Sequence, residues 1–300
     1  MSSELHHPFE VDRSFFYPRI WQAIFLLVIG VVLQIALSIP VHLLGFADRH
    51  PAIEATVSAV AFSLVIAFGF SKTRAPCGAV FPLERVQAGL WAPLAITLMG
   101  FSIVMSEWDN LFRRLLPPPQ WLEEIFERLA TGRVSLWGSF LALVVVAPLT
   151  EEFLFRGIIL RGFLRNYRVR TAVIGSALLF GLFHLNPWQF VPAFFAGLLL
   201  AWLFIGTRSL VPCLFAHALN NSLPLLISSL GVSIPGYTAP SDHAPQFQPF
   251  WLDALGLLLL AVGLWRLRRR ICAISEIPPT IIEAPPIITE NSSKFEDVPQ

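Results

Sequence analysis

The chain has 300 residues, of which 55% are hydrophobic and 14% charged, with 26 Phe, 9 Trp and a mean hydropathy of +0.66. Soluble domains carry about 25% charged residues, which argues against a water-soluble globule. A formal net charge of +1 gives no electrostatic footprint for nucleic acid, which is not an expected partner.

A membrane-spanning helix needs about 20 mostly apolar residues, and eight stretches qualify: 20–44, 52–71, 87–106, 135–164, 170–185, 188–206, 209–230 and 250–267. The first is too long for the apolar part of a signal peptide and follows Glu4, Glu10 and Asp12. It reads as a retained span. After Pro117-Pro118-Pro119, the stretch from Gln120 to Ala130 puts Trp121, Leu122, Ile125, Phe126 and Leu129 on one helical face. Glu123, Glu124, Glu127 and Arg128 take the other. That pattern predicts a short helix lying at the membrane interface. The fifth stretch is short, and only tight turns separate the fifth, sixth and seventh, which admits a broken or re-entrant element buried in protein. Residues 236–249 read as a loop. The expected fold is therefore all-α: a polytopic integral membrane helical bundle of about eight transmembrane segments. It divides into an N-terminal cytoplasmic segment 1–19, a membrane-embedded domain 20–270 with its core at about 135–230, and a disordered tail 271–300 rich in Pro, Ile and Glu.

With eight spans and the N-terminus inside, sixteen of the 21 Lys and Arg residues fall on the inner side and five on the outer. The bias predicts that both termini are cytoplasmic; the plasma membrane of a bacterium is the expected location. Cys77, Cys213 and Cys272 lie far apart with no CxxC pair, which argues against a disulfide framework or a zinc ribbon.

Three fragments carry ionisable groups inside these oily stretches: Glu151-Glu152-Phe153-Leu154-Phe155-Arg156, Phe180-Gly181-Leu182-Phe183-His184, and His217-Ala218-Leu219-Asn220-Asn221. A charge at the bilayer centre costs roughly 2.5–3.5 kcal/mol on insertion scales, so these residues need partners or a task. Glu152 and Arg156, four apart on a helix, share a face and can pair. Glu151 projects about 100° away and is free for other work. Pro148 removes a backbone donor just before the carboxylates. Counted from the turn near Val169, Glu151 and His184 lie about 27 and 22 Å away along neighbouring helices, so they can meet. His217 and Asn221 share a helical face, with Asn220 pointing elsewhere. Counted from Arg208, His217 is only about 14 Å deep. Either the seventh span starts deeper than drawn, or segments five to seven are not simple spans. No HExxH helix, GxSxG elbow or pair of intramembrane aspartates occurs, so any chemistry must use Glu and His.

These three fragments, in this order and inside apolar segments, resemble the CAAX protease and bacteriocin-processing family, also called the abortive-infection family. The family pattern is EExxxR, FxxxH and HxxxN or HxxxD; here it reads Glu151-Glu152-x-x-x-Arg156, Phe180-x-x-x-His184 and His217-x-x-x-Asn221. The resemblance covers about residues 135–230. It implies a multi-span helical fold with a water-filled cavity and endopeptidase activity near the C-terminus of a membrane-associated protein or peptide, prenylated CAAX-type chains included. It further implies that Glu151 and His184 activate water, that His217 and Asn221 form the oxyanion site, and that Glu152 and Arg156 support the geometry. The residues agree with that assignment, because burial in apolar surroundings makes a carboxylate a better proton acceptor.

Two alternatives stay open at this stage. Glu151, His184 and His217 match a His₂Glu zinc set, so the cofactor is either none or zinc. A non-catalytic immunity or scaffold protein would use the same polar residues to tie helices together. A proton-relay transporter is disfavoured, since no paired broken segments recur in two halves. Lipid and a peptide or protein substrate, lipidated or not, are the expected partners; the substrate's identity and the oligomeric state are not encoded legibly.

Overall fold

The computed structural model describes residues 16–45, 51–131, 136–231, 234–237 and 246–275. Most of the tail, most of the N-terminal segment and Arg13, Arg49, Arg133 and Lys294 lie outside the described residues. Those described form helices and connections, with no strand among them. Besides two short turns of helix, Cys77–Val80 and Ala88–Leu90, the helices are α1 (Ile20–Leu43), α2 (Pro51–Thr73), α3 (Trp91–Leu115), α4 (Gln120–Thr131), α5 (136–166), α6 (Val169–Phe183), α7 (Pro187–Thr207), α8 (Val211–Ser229) and α9 (Phe250–Ser275). Helix α4 is the amphipathic one. The other eight are apolar rods at the eight expected stretches.

Five helical segments are long and apolar enough to cross a bilayer: Ile20–Leu43, Ala52–Thr73, Ala88–Leu115, Pro187–Thr207 and Phe250–Ala273. Helices α6 and α8 are apolar but shorter, and α5 carries the intramembrane charges. The outer helices turn large apolar side chains outward. Trp21, Phe25, Val28, Val32 and Ile35 on α1 are each more than half exposed, while Ala23, Leu26, Leu27 and Gly30 are buried. Such a stripe would be prohibitive against water and is what lipid contact requires. The chain is an integral membrane protein.

Helices α3 and α9 pack along most of their length because glycine lets the backbones touch. A Cβ on Gly100 would stand 2.3 Å from Leu260 N, and one on Gly263 would stand 2.6 Å from Thr97 N. Small residues at crossings are the usual basis of helix association in lipid. Gly100→Ala is expected to lower the thermal midpoint in detergent by several degrees, read by scanning fluorimetry, because backbone atoms cannot move aside as side chains do.

Helix α5 is one rod built of two kinds of turn. Leu141–Val146 and Phe153–Leu160 are π-helical, and they flank an α-helical stretch, Ala147–Glu152. Pro148 has no N–H to donate back along the helix, and the first wide segment ends just before it. Wide turns of this kind recur at functional sites.

The unresolved depth of His217 is explained by the α7–α8 turn. Arg208 takes a left-handed conformation with φ 55°, and Ser209 and Leu210 are both 0% exposed. Leu210 N donates to Pro82 O (2.8 Å), and Ser209 Oγ donates to Glu84 O (2.7 Å). The turn is thus set inside the protein on the 81–87 segment. Helix α8 starts from this protein-buried turn, and His217, six residues in, meets the Glu152 carboxylate.

Candidate active site

Glu152 and Arg156 pair as the helical spacing predicts. Both are essentially fully buried, at 0% and 1% exposure, with Arg156 Nη1 donating to Glu152 Oε1 at 2.8 Å. The same carboxylate oxygen accepts from His217 Nδ1 at 2.7 Å. Arg156 Nη2 donates to Gly197 O at 3.3 Å, and its guanidinium sits 4.5 Å from the centroid of the Phe180 ring. One buried ion pair therefore joins α5 to α6, α7 and α8. Gly197 is small for a reason: a Cβ there would lie 2.9 Å from Ala177 Cα, so α7 lies against α6 with its carbonyl within reach of Arg156.

Glu151 lies one residue away and faces a different environment. Its Oε2 is buried and has no hydrogen-bond partner. It stands 3.9 Å from His217 Nε2, too far for a direct hydrogen bond and close enough for a shared water. The carboxyl lines a cavity of about 530 Å³ together with His184, His217, Asn220 and Asn221, a size typical of ligand sites.

His184 caps the end of α6, is half-buried, and hydrogen-bonds through Nδ1 to Phe180 O at 2.9 Å. A carbonyl can only accept, so Nδ1 carries the proton and Nε2 keeps its lone pair in the neutral ring. Phe180 holds more than that one bond. Its ring lies edge-on to His184 (5.4 Å), His217 (5.8 Å) and Phe155 (4.9 Å). Phe180→Leu is expected to keep the fold and cost on the order of 10²-fold in kcat/KM through lost positioning, measured by steady-state cleavage.

Asn221 Nδ2 donates one bond to Leu143 O in the first π-helical segment (3.0 Å), which leaves its second amide proton free to donate. All six residues singled out by the motifs thus converge. Glu151 and His184 share the cavity as the depth argument anticipates, although His217 is held by Glu152, a pairing that spacing alone did not indicate. Asn220, which the helical spacing pointed elsewhere, lines the same cavity.

Sequence reasoning missed a further wall, the α3 residues Ser102, Ser106, Asp109 and Arg113. Their recurrence at intervals of three and four in an apolar helix is the signal that marks them. Arg113 pairs with Asp109 (2.6 Å) and with Glu123 of α4 (3.7 Å), tying the amphipathic helix to the rim of the cavity. Ser106 Oγ and Asn110 Nδ2 hold Gly236 O, and Ser102 Oγ pairs with the Tyr237 hydroxyl, so the connection before α9 lies beside the same wall.

Among the described residues no three His, Cys, Asp or Glu side chains are grouped to hold a metal ion; the hydrogen bonds of the two imidazoles engage Nδ1 and leave Nε2 of each toward the cavity.

A carboxylate whose buried Oε2 has no hydrogen-bond partner, two oriented imidazoles and an amide thus surround one cavity within the helical membrane bundle. Residues 133–223 match the family described as Type II CAAX prenyl endopeptidase Rce1-like. Over that segment the chain carries an Rce1-like domain of the CAAX protease and bacteriocin-processing family, and the family implies protease activity. No curated protein and no solved structure gave a significant match to the chain.

Proposed function

We propose that the protein is an intramembrane endopeptidase that hydrolyses a peptide bond near the C-terminus of a membrane-associated protein or peptide. One observation carries the reading: the Glu151 carboxylate is buried without a hydrogen-bond partner on Oε2, in a cavity that also exposes His184, His217 and Asn221. Glu151 takes a proton from a water oriented by His184 Nε2, and the oxygen attacks the scissile carbonyl. His217, its Nδ1 held by Glu152, faces the oxyanion with Nε2, and Asn221 donates its free amide proton. Each such donor is typically worth about 2.7–4 kcal/mol. Glu151 then returns the proton to the departing amine. Glu152 and Arg156 fix the frame.

The reaction so written needs no metal, and cleavage is expected to persist in excess chelator. The protein sits in a bacterial plasma membrane with both termini cytoplasmic, in line with the Lys and Arg bias.

Purified protein in liposomes, tested on C-terminal peptides with and without a lipid anchor, decides the matter. His184→Ala is expected to lower kcat/KM by about 10²–10⁴-fold, with and without chelator. Cleavage untouched by that change, or lost on chelation and restored by zinc, overturns the scheme.

A further inference from the structure

We infer that the catalytic cavity opens on the extracytoplasmic face, so that the substrate is a peptide segment presented from the outer leaflet or beyond. The inference rests on the orientation and activity proposed above. Chain direction alone determines which helix ends lie together. Helix α3 ends at Leu115, α6 ends at Phe183 and α8 ends at Ser229, while α5 and α7 begin at residue 136 and at Pro187. These five ends share one face. Trp188 Nε1 donating to Leu116 O (2.7 Å) ties two of them directly.

Most cavity-lining residues fall in the half of their helix nearer that face: Met105 to Arg113 of α3, Leu143 and Ala147 of α5, Phe180 and His184 at the end of α6, Trp188 to Ala196 of α7, and Asn221 and Pro224 of α8, while Leu98 to Ser102, Leu199, Leu200, Ala216 and His217 form its deeper end. The other half of α5 is packed into core. Leu154, Phe155, Ile158 and Leu160 of α5 and Leu203 and Leu210 behind them are at most 1% exposed. The Phe81 ring stacks on Phe153 at 4.9 Å beneath them.

The packed half ends on the face rich in arginine. Ser209 bonded to Glu84 O, and Arg270 against Gly89, place the α7–α8 turn, the 81–90 segment and the end of α9 together there. Arg165, Arg168, Arg208 and Arg268 lie at that face, which the charge rule assigns to the cytoplasm. A substrate tethered on the arginine-rich side meets packed core; on the other side Asp109, Arg113 and Gln189 are the lining residues close to the helix ends.

The chain carries its own reporters for a test. Cys77 and Cys272 are exposed and both belong to the arginine-rich face. Gln189→Cys and Glu124→Cys, each in a Cys77→Ser/Cys272→Ser background, report on the opposite face. A membrane-impermeant maleimide is applied to right-side-out and to inverted vesicles, scoring only positions that label in detergent. Expected are at least tenfold stronger labelling of the two introduced cysteines in right-side-out vesicles and the reverse for Cys77 and Cys272 in the parent. Either introduced cysteine reacting chiefly in inverted vesicles overturns the inference. Peptidase activity is assayed separately in detergent, where both faces are open. Its absence there would overturn the catalytic reading alone, and the labelling pattern would still decide which way the cavity faces.

Discussion

Glu151→Gln is expected to abolish cleavage, with kcat/KM falling by at least about 10³-fold, while the thermal midpoint in detergent holds or rises. The amide keeps the carboxylate's shape but cannot accept the proton that water must lose. No hydrogen bond is lost, because the buried Oε2 has none to lose. Removing a buried carboxylate relieves desolvation, which offsets loss of the long 3.9 Å contact to His217 Nε2. A scaffold or immunity protein predicts a different outcome, in which the substitution either unfolds the chain or changes nothing. Steady-state cleavage and a melting curve on the same preparation separate the three results.

Arg156→Met is expected to have the largest effect on stability. The flexible apolar side chain fills the space, but Glu152, 0% exposed, is left with a charge and only His217 as partner. Breaking a buried pair from one side costs about 3–5 kcal/mol, and the contact to the Gly197 carbonyl and to the Phe180 ring is lost with it. The variant should be recovered in poor yield or unfold at a markedly lower temperature. Pairing it with Glu152→Gln should recover much of the loss, because the stranded charge goes too. If Arg156→Met melts like the parent, the ion pair is not what joins these helices.

Much of this arrangement is legible in the sequence, and the reasons differ from element to element. Helices α1, α2, α3, α7 and α9 follow from apolar length, which bilayer thickness dictates. Helix α4 follows from its two-faced periodicity. The Glu152–Arg156 pair follows from a spacing of four, since neighbours on one helix are determined locally. What spacing cannot give is the partner across helices. His217 and Glu152 are 65 residues apart, and their contact depends on where α8 begins. That start is set by a turn buried on Pro82 and Glu84, residues with no unusual pattern of their own. The same holds for α3, whose polar face becomes a cavity wall only once α5 and α8 are packed beside it.

The two adjacent glutamates divide their labour so completely that they can be lost separately. In the proposed scheme Glu152 belongs to the skeleton and Glu151 to the reaction. A descendant of this chain under no pressure to cut peptides could exchange Glu151 for almost any small polar residue and still assemble, keeping Glu152 and Arg156 intact. Retired enzymes of this design would therefore be recognised by a motif missing its first letter, and the second glutamate on its own is poor testimony that a given chain still works.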